Sequence, residues 1–343
     1  MTKKQLLSVP TRPFDPAESS SVSGVLERMQ GTAFQGRNLG TAFDVWKKML
    51  GDECTIIMGM SGAMVPAGMR RIVVRMIENR LIDCLVSTGA NFFHDIHETR
   101  GNYHYQGSPH VDDVMLADNM VDRMYDVYAD EEKFREHDLW IGAFGATLDQ
   151  SRPYTTREFL HLLGLELAKN AKEDGVVSAA AKAGVPLYCP AVGDSSIGIG
   201  LATNRYHGGN QLMFDVVGDV LETARIAAES KATGVIYFGG GTPKNFIQQT
   251  EVTLLVMKED AEGHKYAIQV VTDSPHWGGL SGCTFEEAQS WGKISKTANM
   301  VTCHCDSTIA MPLLATAMLE QKELIANRKR PAFSMGPELK ITV

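Results

Sequence analysis

Cys54-Thr55-Ile56-Ile57-Met58-Gly59-Met60 is an almost unbroken apolar run, bounded by Gly51 on one side and Ser61-Gly62-Ala63 on the other. A run this short and this apolar reads as a strand covered on both faces, as the strands of a parallel sheet are. The small residues behind it open toward a helix expected over 66–79. The same unit recurs: strands are expected over 81–88, 185–190, 235–238, 266–272 and 300–305, with a weaker candidate at 139–144. Helical spacing starts near Val22 and recurs to Leu50, and further helices are expected over 155–171, 175–183, 212–232 and 307–326. Alternating units of this kind predict an α/β fold, a doubly wound, mostly parallel sheet. One large domain over 21–327 is expected, with an extended N-terminal arm over 1–20 and a C-terminal tail over 328–343.

A chain of 343 residues with 44% hydrophobic content can bury a substantial core. It has no apolar run near the roughly 20 residues that span a bilayer. Only a token apolar stretch precedes Pro10, so no membrane association and a cytoplasmic location are expected. The net charge of −8 disfavours nucleic acid as a partner and suits a cationic small molecule. Six cysteines, none in Cys-x-x-Cys spacing, read as reduced core residues. Two constellations invite a metal reading. His94-Asp95-x-His97-Glu98, with His104 and His110, has His-x-x-His rather than the His-x-x-x-His that puts two imidazoles on one helix face. In Cys303-His304-Cys305 the histidine of a strand would point away from both cysteines. No metal site is expected.

The expected strands end in small or acidic residues: Ser61-Gly62, Thr88-Gly89-Ala90, Gly193-Asp194-Ser195-Ser196, Gly239-Gly240-Gly241, Thr272-Asp273 and Asp306-Ser307. Ligands of an open parallel sheet bind beyond those ends, where glycines admit a pyrophosphate and carboxylates suit ribose hydroxyls. Together these residues suggest a bound dinucleotide, although Gly-x-Gly-x-x-Gly is missing and a glycine triplet is often only a tight turn. Chemistry of another kind concentrates in Thr272–Lys293. There two tryptophans (Trp277, Trp291), glycines (Gly278, Gly279), acids (Glu286, Glu287) and Lys293 supply apolar walls, close backbone approach, cation binding and an amine nucleophile. The bland alternative is that Thr284-x-x-Glu287 is a capping box and Lys293 a solvated surface group.

Gly239-Gly240-Gly241-x-x-Lys244, taken with Glu287-Ala288-Gln289-Ser290-Trp291-Gly292-Lys293, resembles the deoxyhypusine synthase family. The resemblance runs from roughly Val22 to Leu324 and takes in Thr88-Gly89-Ala90, Pro190-Ala191-x-x-Asp194, Ser281-Gly282, Asp306 and Pro312-Leu313-Leu314. It implies a Rossmann-like NAD-binding fold, a homotetramer with active sites at a dimer interface, and NAD-dependent aminobutyl transfer. In that chemistry NAD oxidises spermidine, the butylimine passes to an active-site lysine, and an acceptor amine receives it before reduction by the same cofactor. On this resemblance Lys293 is the catalytic lysine and Glu287 anchors a substrate ammonium, beside Trp291, Gly278 and Asn245. Thr88, Gly89, Ala90, Asp194, Gly240, Thr272, Asp273, Asp306 and Ser307 fall where the family contacts NAD.

Several family positions that hold the polyamine differ. An acid expected five residues after Asp194 is Ile199, and one expected before Ser281-Gly282 is Leu280. Paired histidines after the glycine triplet become Asn245-Phe246, and paired glutamates become Phe93-His94. Each lost acid removes a charge-assisted bond worth about 1.5–3 kcal/mol. The expectation is therefore transfer of an alkylamine group to a small amine acceptor, giving a homospermidine-type product or a guanidinium analogue. Glu286, Glu287, Asp273 and Asp95 remain to hold cations. The alternatives are deoxyhypusine synthesis on a protein lysine and an NAD-dependent amine dehydrogenase.

Overall fold

The structure, a computed structural model, describes residues 1–342. Its centre is a six-stranded sheet of β1 (Thr55–Met60), β2 (Cys84–Ser87), β3 (Leu187–Tyr188), β4 (Thr233–Phe238), β5 (His264–Val270) and β6 (Ile294–Cys303). The strands lie in the order β6-β5-β4-β1-β2-β3, and every neighbouring pair is parallel. The chain winds outward from β1 to β3 and then restarts on the other side of β1 with β4. At such a reversal the loops after β1 and β4 diverge and leave a crevice at the carboxyl ends of the strands.

Besides short helices at Asp113–Asp118 and at Lys3–Leu6, the latter inside the arm expected to be extended, the helices are α1 (Val22–Met29), α2 (Phe34–Gly51), α3 (Arg70–Glu78), α4 (Gly89–Thr99), α5 (Glu131–Thr147), α6 (Thr156–Ala168), α7 (Val176–Ala183), α8 (Ser196–Tyr206), α9 (Val216–Glu229), α10 (Gly241–Met257), α11 (Phe285–Ser290), α12 (Ser307–Leu319) and α13 (Lys322–Asn327). Side chains alternate across a strand, so the apolar run of β1 serves two cores. Ile56, Met58 and Met60 pack with α2, α3 and α12 on one face. Ile57 points the other way, to Val235, Tyr237, Ile247 of α10 and Phe285 of α11. Gly59 shares that second face because a Cβ there would meet Tyr237 at 2.9 Å. The lysine-bearing segment belongs to this second layer.

Four expectations are corrected. The strand candidate 139–144 lies inside α5, where His137, Ile141 and Gly145 are buried at spacing four while Leu139 is exposed. Its apolar run serves a helix crossing: a Cβ on Gly142 would lie 2.4 Å from the Gly200 carbonyl, so α5 and α8 meet backbone to backbone. The helix expected over 307–326 breaks at Glu320 into α12 and α13. The helix expected from 212 begins at Val216, since Met213–Phe214 pairs with Pro153–Tyr154 as a short parallel ladder. β6 is longer than expected and carries a bulge, its partners jumping from Ile294 to Asn299 while β5 advances from His264 to Tyr266.

Residues 328–342 dock on the body, with an antiparallel hairpin of Ala332–Met335 and Leu339–Thr342. The anchor is ionic. Asp83, fully buried, accepts the Ile56 N–H at 2.8 Å and a 3.0 Å bond from Arg80, and Arg328 reaches both of its carboxylate oxygens. Arg157, also fully buried, pairs with Glu222 and donates to the Gly336 carbonyl at 2.7 Å. Removing one member of a buried ion pair strands its partner's charge. Arg328→Ala should therefore cost about 3–5 kcal/mol of unfolding free energy, read from urea denaturation. A loss below 1 kcal/mol, the value of an exposed pair, would show that the anchor contributes little.

Candidate active site

After β5 the chain runs irregularly from Val271 to Cys283, through one 3₁₀ turn at Pro275–Trp277 and Gly278 at φ +72°. Thr284 then caps α11, its hydroxyl accepting the Glu287 N–H at 3.1 Å. Gly292, at φ +72°, turns the chain out of α11 into Lys293. The Lys293 N–H donates to the Ala288 carbonyl at 3.1 Å, and its own carbonyl accepts from the His264 N–H at 3.1 Å. Its backbone is thus pinned between α11 and β5 while the side chain enters a cavity of about 230 Å³.

That cavity gathers Lys293, Glu287, Trp291, Gly278 and Asn245, residues that come from three separate parts of the sequence. Lys293 Nζ lies 3.5 Å from Asn245 Oδ1 and 5.5 Å from the Trp291 ring centroid. Trp277 does not line it and is largely exposed. Leu280 does, as an apolar wall. Glu286 faces a separate hollow with Asn38 and His304.

A second lysine also lines the cavity, and it was not among the residues expected there. Lys244, on the first turn of α10, is 1% exposed. Its Nζ donates to Gln269 Oε1 at 2.8 Å and to the Cys283 carbonyl. Gln269 in turn donates to the carbonyls of Gly239 at 3.0 Å and Ser281 at 2.8 Å. Burial holds the Lys244 amine down from the ordinary 10.5 to about 8, and the Lys293 charge adds to the depression, against Cys283 and Glu287. The glycine triplet three residues upstream is the only local signal for Lys244, because its burial depends on residues far along the chain.

The residues expected to hold a cofactor collect at the carboxyl edge of the sheet. Thr88 caps α4, Asp306 caps α12 through Thr308, and Gly240 precedes α10. Asn91 donates to the Gly62 carbonyl at 2.9 Å and fixes the turn after β1. The Gly240 and Gly241 N–H groups donate to the hydroxyls of Ser61 at 2.8 Å and Ser281 at 3.1 Å. A Cβ on Gly240 would sit 2.5 Å from Ser281 Cα, whereas Gly193 faces open space. Gly240 follows β4, and Thr272 and Asp273 follow β5; none of the three lines the lysine cavity. Thr88, Gly89, Ala90 and Asp194 follow β2 and β3, Asp306 and Ser307 follow β6, and none of these lines it.

Asp95, expected to hold a cation, is fully buried and instead accepts the Val176 and Val177 N–H groups at 2.7 and 2.9 Å, with Arg70 at 2.9 Å. The nearby histidines bond to one another. His94 Nδ1 meets His104 Nε2 at 2.9 Å, and His104 Nδ1 donates to Glu98 at 2.7 Å. Burial, with His104 and His97 beside it, pushes His94 down to about 3, so it is neutral at pH 7.

The family model for deoxyhypusine synthase matches residues 24–318. A protein named probable deoxyhypusine synthase 2 from Methanosarcina mazei is 49% identical over 96% of each chain. Its namesake from Archaeoglobus fulgidus is 48% identical over 89% of this chain and 99% of its own. Among solved structures, a protein assigned as a deoxyhypusine synthase from Entamoeba histolytica shares the fold, with a TM-score of 0.61 at 20% identity, over 90% of this chain and 97% of the other.

The depressed Lys244 amine ties stability to pH. Between about 8 and 10.5 the unfolded chain keeps a proton that the folded chain has released, so stability rises with pH across that window. Compared with Lys244→Met, the wild-type chain should gain up to about 3 kcal/mol in unfolding free energy from pH 8 to 10.5, by paired urea titrations. A constant difference would mean that Lys244 titrates normally.

Proposed function

The chain belongs to the deoxyhypusine synthase family, and on that premise we propose that it transfers an aminobutyl or related alkylamine group through an imine on Lys293 to a small amine acceptor. The carrying observation is the single cavity in which Lys293, Glu287, Trp291, Gly278 and Asn245 converge. The Glu287 carboxylate holds a substrate ammonium. The Trp291 face, 5.5 Å from the amine, covers a methylene chain and lowers the local polarity. Asn245 orients Lys293 Nζ by accepting from it.

The carboxyl edge of the sheet fits NAD. The crevice between β1 and β4, the helix starts behind Thr88, Gly240 and Asp306, and the open space at Gly193 suit a pyrophosphate and its riboses. Thr88, Gly89, Ala90, Asp194, Gly240, Thr272, Asp273, Asp306 and Ser307 would hold it. When bound, the nicotinamide takes up and returns the hydride that makes and later reduces the imine. Trp291 and Leu280, which line the cavity, expose 62% and 49% of their surface, which supports a cleft completed by a second copy in a homotetramer.

A small acceptor is favoured by the polarity of the cavity. Leu280 stands where the family places an acid, and the buried Asp95 is spent on α7, so Glu287 is the one carboxylate among the residues lining the cavity. The names of the relatives make deoxyhypusine synthesis on a protein lysine the second reading. The two part when labelled donor is supplied with NAD: label should enter a small polyamine and no protein band. Borohydride should trap the donor fragment on Lys293, and Lys293→Ala should trap nothing. Turnover by Lys293→Ala at the wild-type rate would end the covalent reading. Leu280→Asp should lower the KM for spermidine by about tenfold to a hundredfold, the value of one charge-assisted bond, in a steady-state assay.

A further inference from the structure

The stoichiometry of the Lys244 amine goes beyond an imine on Lys293, although it rests on that reading. Both of its partners, Gln269 Oε1 and the Cys283 carbonyl, are neutral groups that can only accept. A neutral amine has two N–H groups and one lone pair, and an ammonium has three N–H groups. Two hydrogens are therefore committed in either state, and the states differ only in the third position, a lone pair or a proton. The amine can change protonation without moving. It sits on the first turn of a long helix, roofed by the Phe285 ring at 5.7 Å, in the same cavity as Lys293. The ionisable groups that face it are Cys283 from the loop, Glu287 from α11 and Lys293 before β6.

We propose that Lys244 is the proton carrier of the Lys293 reaction, accepting the proton that Lys293 must lose and delivering it to the departing amine. The proton count requires such a group. Hydride loss to the nicotinamide cofactor leaves the substrate as an iminium ion. The Lys293 lone pair adds to its carbon and forms a C–N bond, which puts the positive charge on the Lys293 nitrogen. Lys244 takes one proton from that nitrogen and gives it to the substrate nitrogen. The second C–N bond then breaks with its electron pair on the departing amine, leaving an iminium on Lys293 and Lys244 as it began. An amine held at about 8 can do both halves of this exchange near neutral pH, where an ordinary lysine would stay protonated.

The test is pre-steady-state trapping by borohydride of the Lys293 adduct, with NAD and spermidine, putrescine or agmatine, from pH 6.5 to 9.5. The wild-type rate should rise along an ionisation near 8. Lys244→Met should lose about a hundredfold and the inflection with it, and Lys244→Arg, which keeps the charge and donors but holds its proton, should fail equally. Trapping by Lys244→Arg at the wild-type rate and pH dependence overturns the proposal. Competitive acetylation gives a reading free of turnover: in Lys293→Met the labelling pKa of Lys244 should rise, because a neighbouring cation has gone. An unchanged labelling pKa places the two amines out of reach and also overturns it. If the wild type traps no donor, the transfer reading fails by itself, and the acetylation result still decides whether the two lysines are coupled.

Discussion

One buried carboxamide, that of Gln269, holds the site together. Its nitrogen donates to carbonyls on both sides of the site, Gly239 at the end of β4 and Ser281 in the loop after β5, and its oxygen receives Lys244. The three bonds tie β5 to the turn after β4, to the loop after β5 and to α10, in a place where water does not compete and an unmade bond would cost the full desolvation of a polar group. The Ser281 backbone held in this way also brings a hydroxyl to the Gly241 N–H. The strand-end crevice and the lysine cavity are therefore two sides of one polar knot, and a shift of Gln269 would disturb both.

The parts of this arrangement differ in how far they are legible in the sequence. Parallel strands announce themselves because both faces must be apolar, and all six strands were expected, with ends displaced by a few residues. The convergence of Glu287, Trp291 and Lys293 on one cavity was legible through a compact motif that keeps the three within one turn and a loop. The strand candidate at 139–144 misled because a helix face that packs on another helix through Gly142 and Gly200 needs no polar interruption at that point. The place of Lys244 in that cavity was not legible. Its partners stand 25 and 39 residues away, and its burial is a property of the fold. Asp95 misled in the opposite sense: an acid beside histidines looked available, but the start of α7, 81 residues later, consumes it.

The sheet divides labour between its faces. On one side α2, α3 and α12 bury a broad apolar layer. On the other, α10 and α11 cover a smaller core around Ile57, Tyr237 and Phe285, and the polar knot sits at the edge of that smaller core. A buried amine needs firm surroundings to keep its desolvation, and Phe285 and Ile247 supply them. The bulge in β6 belongs to the same layer. By adding residues between Ile294 and Asn299 it lets α11 and Lys293 approach the sheet without breaking the β5–β6 register beyond it.

The anchor at Asp83 has a consequence in time. Asp83 joins β1 and β2, the first strands to leave the ribosome, yet Arg328 arrives 245 residues later. Until then the carboxylate has only Arg80 and a backbone N–H, and the amino edge of the sheet lacks the segment that covers it. Contacts of such long range close last and slowly. The nascent chain therefore spends most of its synthesis with a sheet edge that is paired but not sealed, open to chaperones or to other chains, and Arg328 closes it.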